Sequence, residues 1–472
     1  MKQTETNEFK TAPILGLVMK FAIPCVISLL INSLYNIVDQ IFIGRGVGYL
    51  GNGATNVVFP ITVIALAFAL LIGDGGAAWL SLKMGEGSPK EAKKGIGNAV
   101  TLSVIAGVLI LIISWVFFDP LLSLFGCTDA IYPYAVAYGR VILIGLPFTI
   151  VSTALNSIIR ADGSPQYAMG SMIVGAVINV ILDPVFIFVF HWGVFGAALA
   201  TIIGQIASFV ISIIYLRKFK SFRLDKKVFV LSAKNSSSIA SLGISSFITQ
   251  ISIVIVMAVT NNMLKHYGAT SVYGAEIPIT AMGITMKVNQ IMISIAVGIA
   301  AGAQPIWGYN YGAKEFQRVR ETMKITVICA TAVTVLAFIM FQFFPMSIIS
   351  LFGAEDVLYN EFAVKCFRIF LLACVLNGFQ TIAGIFVQAI GKPIKSAVIS
   401  LSRQIVFYVP ATLILPGVLG IEGVLWSGPV ADVLAFVLAL GIILYEMKQI
   451  KKAESVDSKN YSCKNVLAAD KG

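Results

Sequence analysis

The side chains in this sequence that can do chemistry are oxygen donors set inside long apolar runs. Asp39 sits in one such run, Asn179 and Asp183 in a second, and Thr201 in a third. Asn179 precedes Asp183 by one helical turn, which puts both on the same helix face. Pro184 lacks an N–H and leaves the Val180 carbonyl without its helical partner. Two carboxylates, an amide oxygen, a hydroxyl and a free carbonyl make an oxygen-only set that suits a hard cation such as Na⁺. The same set suits a proton, because two carboxylates in a low dielectric raise one another's proton affinity. The alternative is that Asp39 and Asp183 only accept hydrogen bonds from neighbouring helices.

Such residues need elements that hold them away from water, and the composition supplies them. Of 472 residues, 58% are hydrophobic and 12% charged, against roughly 25% charged in an average soluble domain. The charges cluster in short segments separated by apolar stretches long enough for a helix to cross a hydrocarbon core of ~30 Å. Twelve spans follow: 14–43, 52–82, 94–118, 131–159, 167–190, 195–217, 238–265, 275–309, 320–344, 357–389, 395–417 and 421–447. They must be helices, since lipid cannot satisfy an open strand, and the alternating segments of a membrane β-barrel are absent. At 1.5 Å per residue, Asp39, Asp183 and Thr201 lie ~6, ~10 and ~9 Å from the same end of their spans.

Placing the N-terminus inside puts about 26 of the 34 Lys and Arg residues on the inner side. Both ends are therefore expected in the cytoplasm, and the net charge of +11 reads as a topological signal, not a nucleic-acid surface. The implied organisation is a tail (1–13), a first six-helix bundle (14–217), a cytoplasmic linker (218–237), a second bundle (238–447) and a tail (448–472). Met1 to Lys10 is polar and mixed in charge, so no removed secretory signal is expected and the first span directs insertion. The cysteines are scattered without a CxxC pair and read as core side chains. The two histidines, His191 and His266, are too few for a histidine-built metal centre.

The halves repeat at an offset of roughly 227 residues. Leu124-Phe125-Gly126 corresponds to Leu351-Phe352-Gly353, Lys83-Met84-Gly85 to Asn310-Tyr311-Gly312, Gly163-Ser164-Pro165 to Gly391-Lys392-Pro393, and Gly193-Val194-Phe195-Gly196 to Gly420-Ile421-Glu422-Gly423. An even number of spans per half makes the repeat parallel. The expected fold is an all-α polytopic membrane protein with two parallel six-helix bundles around a central cleft, an architecture that puts the substrate path at the repeat interface.

Each remaining ionisable residue inside a span costs ~2.5–3.5 kcal/mol by insertion scales and is a functional candidate. Asp74, in Gly73-Asp74-Gly75-Gly76, is expected towards the cytoplasmic side. Arg403 and Arg368 are the expected counter-ions of Asp432, Glu276 and Glu422 begin their spans, and Lys287 has no obvious partner. Tyr35, Asn36, Met282 and Glu276 are candidates for the cleft, and Pro24 supplies a bend in span 1.

Taken together, Tyr35-Asn36-Ile37-Val38-Asp39, Asn179-Val180-Ile181-Leu182-Asp183-Pro184 and Gly196-Ala197-Ala198-Leu199-Ala200-Thr201 resemble the multidrug and toxic compound extrusion (MATE) family, in its DinF-like bacterial branch, over residues 14–447. The resemblance implies a monomer of the bacterial inner membrane that exports cationic amphiphilic compounds by alternating access, with inward H⁺ or Na⁺ as the driving ion, no other cofactor and no enzymatic activity. It assigns Asp39, Asn179, Asp183 and Thr201 to a cation site, the backbone carbonyl of Ala197 to the same site, Pro24 to the bend and Asn156 to the cleft. Another branch of the family adds acids in spans 7 and 10. Here span 7 has none and span 10 has only Glu361 at its entrance, which points to coupling through the first bundle alone.

Three other classes fit less well. No G-x-x-x-x-G-K-[ST] loop supports ATP-driven export, and no HExxH supports an intramembrane metalloenzyme. A flippase for a lipid-linked saccharide needs a basic cleft, whereas the first six spans carry chiefly Lys20 and Arg140 beside Asp39, Asp74 and Asp183.

Overall fold

The computed structural model describes residues 4–125, 127, 129–274, 276–350 and 357–469. Gly126 and Leu351-Phe352-Gly353 of the first repeat pair lie outside them. The spanning helices are α1 (Ile14–Gly46), α2 (Tyr49–Gly85), α3 (Pro89–Val116), α4 (Tyr132–Ala161), α5 (Pro165–Val189), α6 (Gly193–Leu216), α7 (Ala233–Ala269), α8 (Glu276–Gly312), α9 (Phe316–Phe343), α10 (Val357–Phe370 with Cys374–Ala389), α11 (Pro393–Leu419) and α12 (Ile421–Ala469). No strand occurs among the described residues. The chain is thus an all-α, multi-pass membrane protein. Residues 233–237, read from the sequence as linker, are the first turn of α7.

Span 10 differs from a straight helix: its two parts meet at 49°. Side chains of α9 bond backbone carbonyls on either side of the break. Gln342 Nε2 donates to the Arg368 carbonyl at 3.0 Å, and Thr334 Oγ1 donates to that of Val375 at 3.1 Å.

The parallel repeat is written into the backbone. Left-handed residues pair at the repeat offset: Gly48 with Gly274, Gly87 with Lys314, Gly163 with Gly391, and Gly193 with Gly420. Each pair turns the chain between equivalent helices, and glycine takes this conformation without the steric cost a Cβ brings.

Two seams join the bundles. Along α1 and α8, a methyl group on Gly298 or Gly302 would strike the backbone of Val26 or Ala22. Farther along the same seam Ser33 Oγ lies 3.2 Å from Ser294 Oγ, and Lys287 Nζ donates to Gln40 Oε1 at 3.2 Å. The second seam joins α2 to α7 and α8. A Cβ on Gly75 would overlap the Ile239 carbonyl, one on Gly243 the Leu71 carbonyl, and one on Gly85 the Tyr309 carbonyl. Phe68 and Phe247 pack edge to face at 5.0 Å. These approaches of α2 fall between Phe68 and Gly85, in the half nearer the basic loops.

The basic end is also strapped. In the amino-terminal helix Thr4–Thr11, the Phe9 ring lies 5.4 Å from both Phe21 of α1 and Tyr309 of α8. Arg318 of α9 donates to the carbonyls of Phe9 and Ala12 at 3.2 and 2.7 Å, and Lys20 pairs with Glu8 at 2.6 Å. One short helix therefore touches both bundles.

The segment after α6 is tied to the α4–α5 turn by Asp162, which accepts from Tyr215 Oη (2.8 Å), the Lys220 and Ser221 amides (2.7 and 3.0 Å) and Ser221 Oγ (2.5 Å). Burial outweighs these donors and raises its carboxyl pKa from 3.8 to about 6. The proton-linked part of its contribution is accordingly full below pH 3.8 and lost as pH rises through about 6, which leaves the four hydrogen bonds to hold the segment at pH 7. Hydrogen bonds to a charged group are worth ~1.5–3 kcal/mol each, so Asp162→Ala is expected to speed protease cleavage at residues 217–227 about tenfold at pH 7. Unchanged cleavage would show that the tie does not hold the segment.

Candidate cation-coupling site

The site is assembled by close helix packing. Gly175 of α5 and Gly204 of α6 let the two backbones touch, since a Cβ on Gly204 would approach the Gly175 carbonyl at 2.5 Å. One turn farther along, Asn179 Nδ2 reaches Thr201 Oγ1 at 3.2 Å and Asp183 Oδ1 at 3.3 Å. After Pro184 the helix widens into a π turn over Val185–Val189. Gly46, at the end of α1, packs on Ile187 of that turn. This contact packs α1 against α5, and the Asp39 and Asp183 carboxyls lie close enough to act on each other electrostatically.

All four sequence-identified side chains are thus brought together. Asp39, Asn179 and Asp183 are buried, and Asp183 is fully so. Ala197, one turn before Thr201, is also fully buried. Asp39 Oδ1, Asp183 Oδ2 and Asn179 Oδ1 have no hydrogen-bond donor. Buried acceptors are nearly always satisfied in folded proteins, and two facing carboxylates cannot satisfy each other unless one carries a proton or both share a cation. The residues present therefore fit a hard cation or a proton. Tyr35 of α1 and Tyr138 of α4 lie within electrostatic reach of both carboxyls. Tyr138 was not identified from the sequence, where it is one tyrosine among several in span 4. Pro24 lies in the other half of α1, which remains one helix through it.

The remaining candidates are spread out. Asn36 is exposed, with its amide on the Asn32 carbonyl at 2.6 Å. Asn156 is buried inside the first bundle, accepting from Ser171 Oγ at 3.0 Å. Met282 is 2% exposed in the core of the second bundle. Neither of these two presents a side chain to a cleft, because each is turned into its own bundle. Glu276 is exposed at the start of α8.

The other charges pair locally. Asp432 meets Arg403 Nε at 2.8 Å, and Glu422 meets Lys365 at 3.1 Å. Asp74 links the bundles: it accepts from Ser157 of α4 and Ser246 of α7, each at 2.8 Å, with Arg160 at 4.0 Å. Among the described residues, no group of three or more His, Cys, Asp or Glu forms a metal cluster.

The comparisons with known proteins agree with this architecture. The MatE family model matches residues 24–185 and 245–414, one stretch in each half. The multidrug export protein MepA of Staphylococcus haemolyticus (strain JCSC1435) is 26% identical over 476 residues, spanning 100% of this chain and 98% of that protein. The structure of the MATE multidrug transporter DinF-BH, solved as a ligand complex, is 33% identical, covers 92% of this chain and 96% of its own, and superposes with a TM-score of 0.84. An outward-facing multidrug resistance MATE transporter of the MOP superfamily shares the fold at 22% identity and a TM-score of 0.88, over 96% of this chain and 100% of that one. With the family model matched across both bundles, the chain belongs to the MatE family, the multidrug and toxic compound extrusion transporters.

Proposed function

We propose that the protein is a secondary active exporter of amphiphilic compounds bearing a cationic group, driven by inward H⁺ or Na⁺ acting on Asp39 and Asp183. The observation that carries this reading is the set of three donor-less buried oxygens on Asp39, Asp183 and Asn179. An incoming proton or Na⁺ cancels one of the two negative charges, and losing the repulsion between them changes how α1 packs on α5. Because α1 also forms the seam with α8, a change at the pair reaches the interface between the bundles, and the bundles alternate access between the two faces. Thr201 and the Ala197 carbonyl complete the ligand set, and Pro24 provides the bend in α1. The basic face is the cytoplasmic side of a bacterial inner membrane, and the working unit is a monomer.

The test is dye export from vesicles holding the purified protein, with the H⁺ and Na⁺ gradients imposed one at a time. Export is expected with at least one of them and to stop when that gradient is collapsed. Export indifferent to both gradients would overturn the reading.

A further inference from the structure

Along α8, Glu276, Thr280, Gly283, Lys287 and Gln290 recur at spacings of three and four, and every one is exposed. They therefore form one stripe on the helix. A Cβ on Gly283 would meet nothing within 4 Å. Hydrocarbon does not tolerate a stripe of this polarity: a lysine facing lipid at the core of a span costs several kcal/mol and is rare except where it faces water or protein. A stripe that is polar and open within a spanning helix is therefore the wall of a water-filled space. Lys287 shows which space this is. Its Nζ bonds Gln40 Oε1 of α1 at 3.2 Å, across the seam between the bundles and one residue from Asp39. Among the described residues no carboxylate pairs with Lys287, while Glu276 lies eleven residues away on the same helix, ~16 Å along the axis.

We propose that Lys287 sets the substrate class: the cleft takes zwitterionic amphiphiles, whose anionic end pairs with the Lys287 ammonium. This rests on the export reading and narrows it. A positive charge on one wall repels a singly charged cation. A zwitterion brings a carboxylate that answers this charge. Gln40, an uncharged amide, holds the ammonium in place without neutralising it, so the charge stays available to a ligand. Electrostatic complementarity of this kind discriminates between ligands more than it adds raw affinity.

The test is equilibrium binding of two rhodamine dyes to the purified full-length protein in lipid nanodiscs: a rhodamine free acid and its methyl ester, which differ by one carboxylate. The wild type is expected to bind the free acid at least tenfold more tightly than the ester. Lys287→Met should erase that preference by weakening the acid and strengthening the ester, and Lys287→Arg should keep it. Lys287→Gln serves as a second neutral variant should the methionine protein fail to purify as a monodisperse species. Equal affinity of the wild type for both dyes, or a neutral variant that weakens both by the same factor, would overturn the inference. Binding requires no gradient, so vesicles that fail to export would sink the export reading and leave this measurement standing.

Discussion

Vesicles carrying Asp183→Asn are expected to show no gradient-driven export above protein-free vesicles, a loss of at least a hundredfold. Asparagine is close in size to aspartate, so the packing of α5 on α6 persists. Its amide cannot release or take up a proton, and it offers an ion no charge. It also gives the donor-less Asp39 Oδ1 a permanent partner, which holds the pair in its neutralised arrangement. The variant should therefore be as stable as the wild type or more so, because a buried acceptor has gained a donor. Asp39→Asn should behave alike, and the double variant should be no worse than either, since groups that act as one unit are not additive. Export above a tenth of the wild-type rate from either single variant, with the protein fully inserted, would show that coupling lies elsewhere.

The second large effect comes from a single methyl group. Gly243→Ala places a Cβ onto the Leu71 carbonyl. Backbone cannot yield as a flexible side chain would, so α7 must shift away from α2. That movement separates Phe68 from Phe247 and stretches the Ser246–Asp74 bond. Export is expected to fall to background, because the basic end no longer seals. Deuterium uptake should rise at 68–85 and 239–247, while uptake across 175–204, around the cation site, stays the same. Gly283→Ala is the control on α8, where no atom lies within 4 Å of the new Cβ, and it should leave uptake in all these segments unaltered. Normal export by Gly243→Ala would mean that the α2–α7 contact does not close the transporter.

The parts of this molecule that one helix at a time can specify were legible in the sequence. Hydropathy delimited the twelve spans, and depth along them placed Asp39, Asp183 and Thr201 at a common level, where the structure joins them through Asn179. Spacing cannot report how each helix is rotated against its neighbours. Met282 read as a cleft residue for that reason, and Asn156 through the family resemblance, yet both turn into their own bundles. The same gap hid Tyr138, and it hid the Asp74–Ser246 bond between the bundles. The break in α10 carries no proline or glycine at residues 371–373; the side chains bonded to either side of it, Gln342 and Thr334, sit on α9. The strap through Phe9 was illegible because the first residues resemble any polar tail until Tyr309 and Arg318 lie beside them.

The α1–α8 seam is closed from Ala22 and Gly302 to Gln40 and Lys287, whereas the close approaches of α2 to α7 lie in one half only. In the proposed cycle this makes the first seam the axle: rotation of one bundle against the other displaces atoms in proportion to their distance from it. The far ends of α2 and α7 then sweep the widest arcs, and bulky residues there determine how far the mouth gapes. Lys287, sitting almost on the axle, hardly travels. Its charge stays at one address through the whole stroke while the geometry around it is rebuilt.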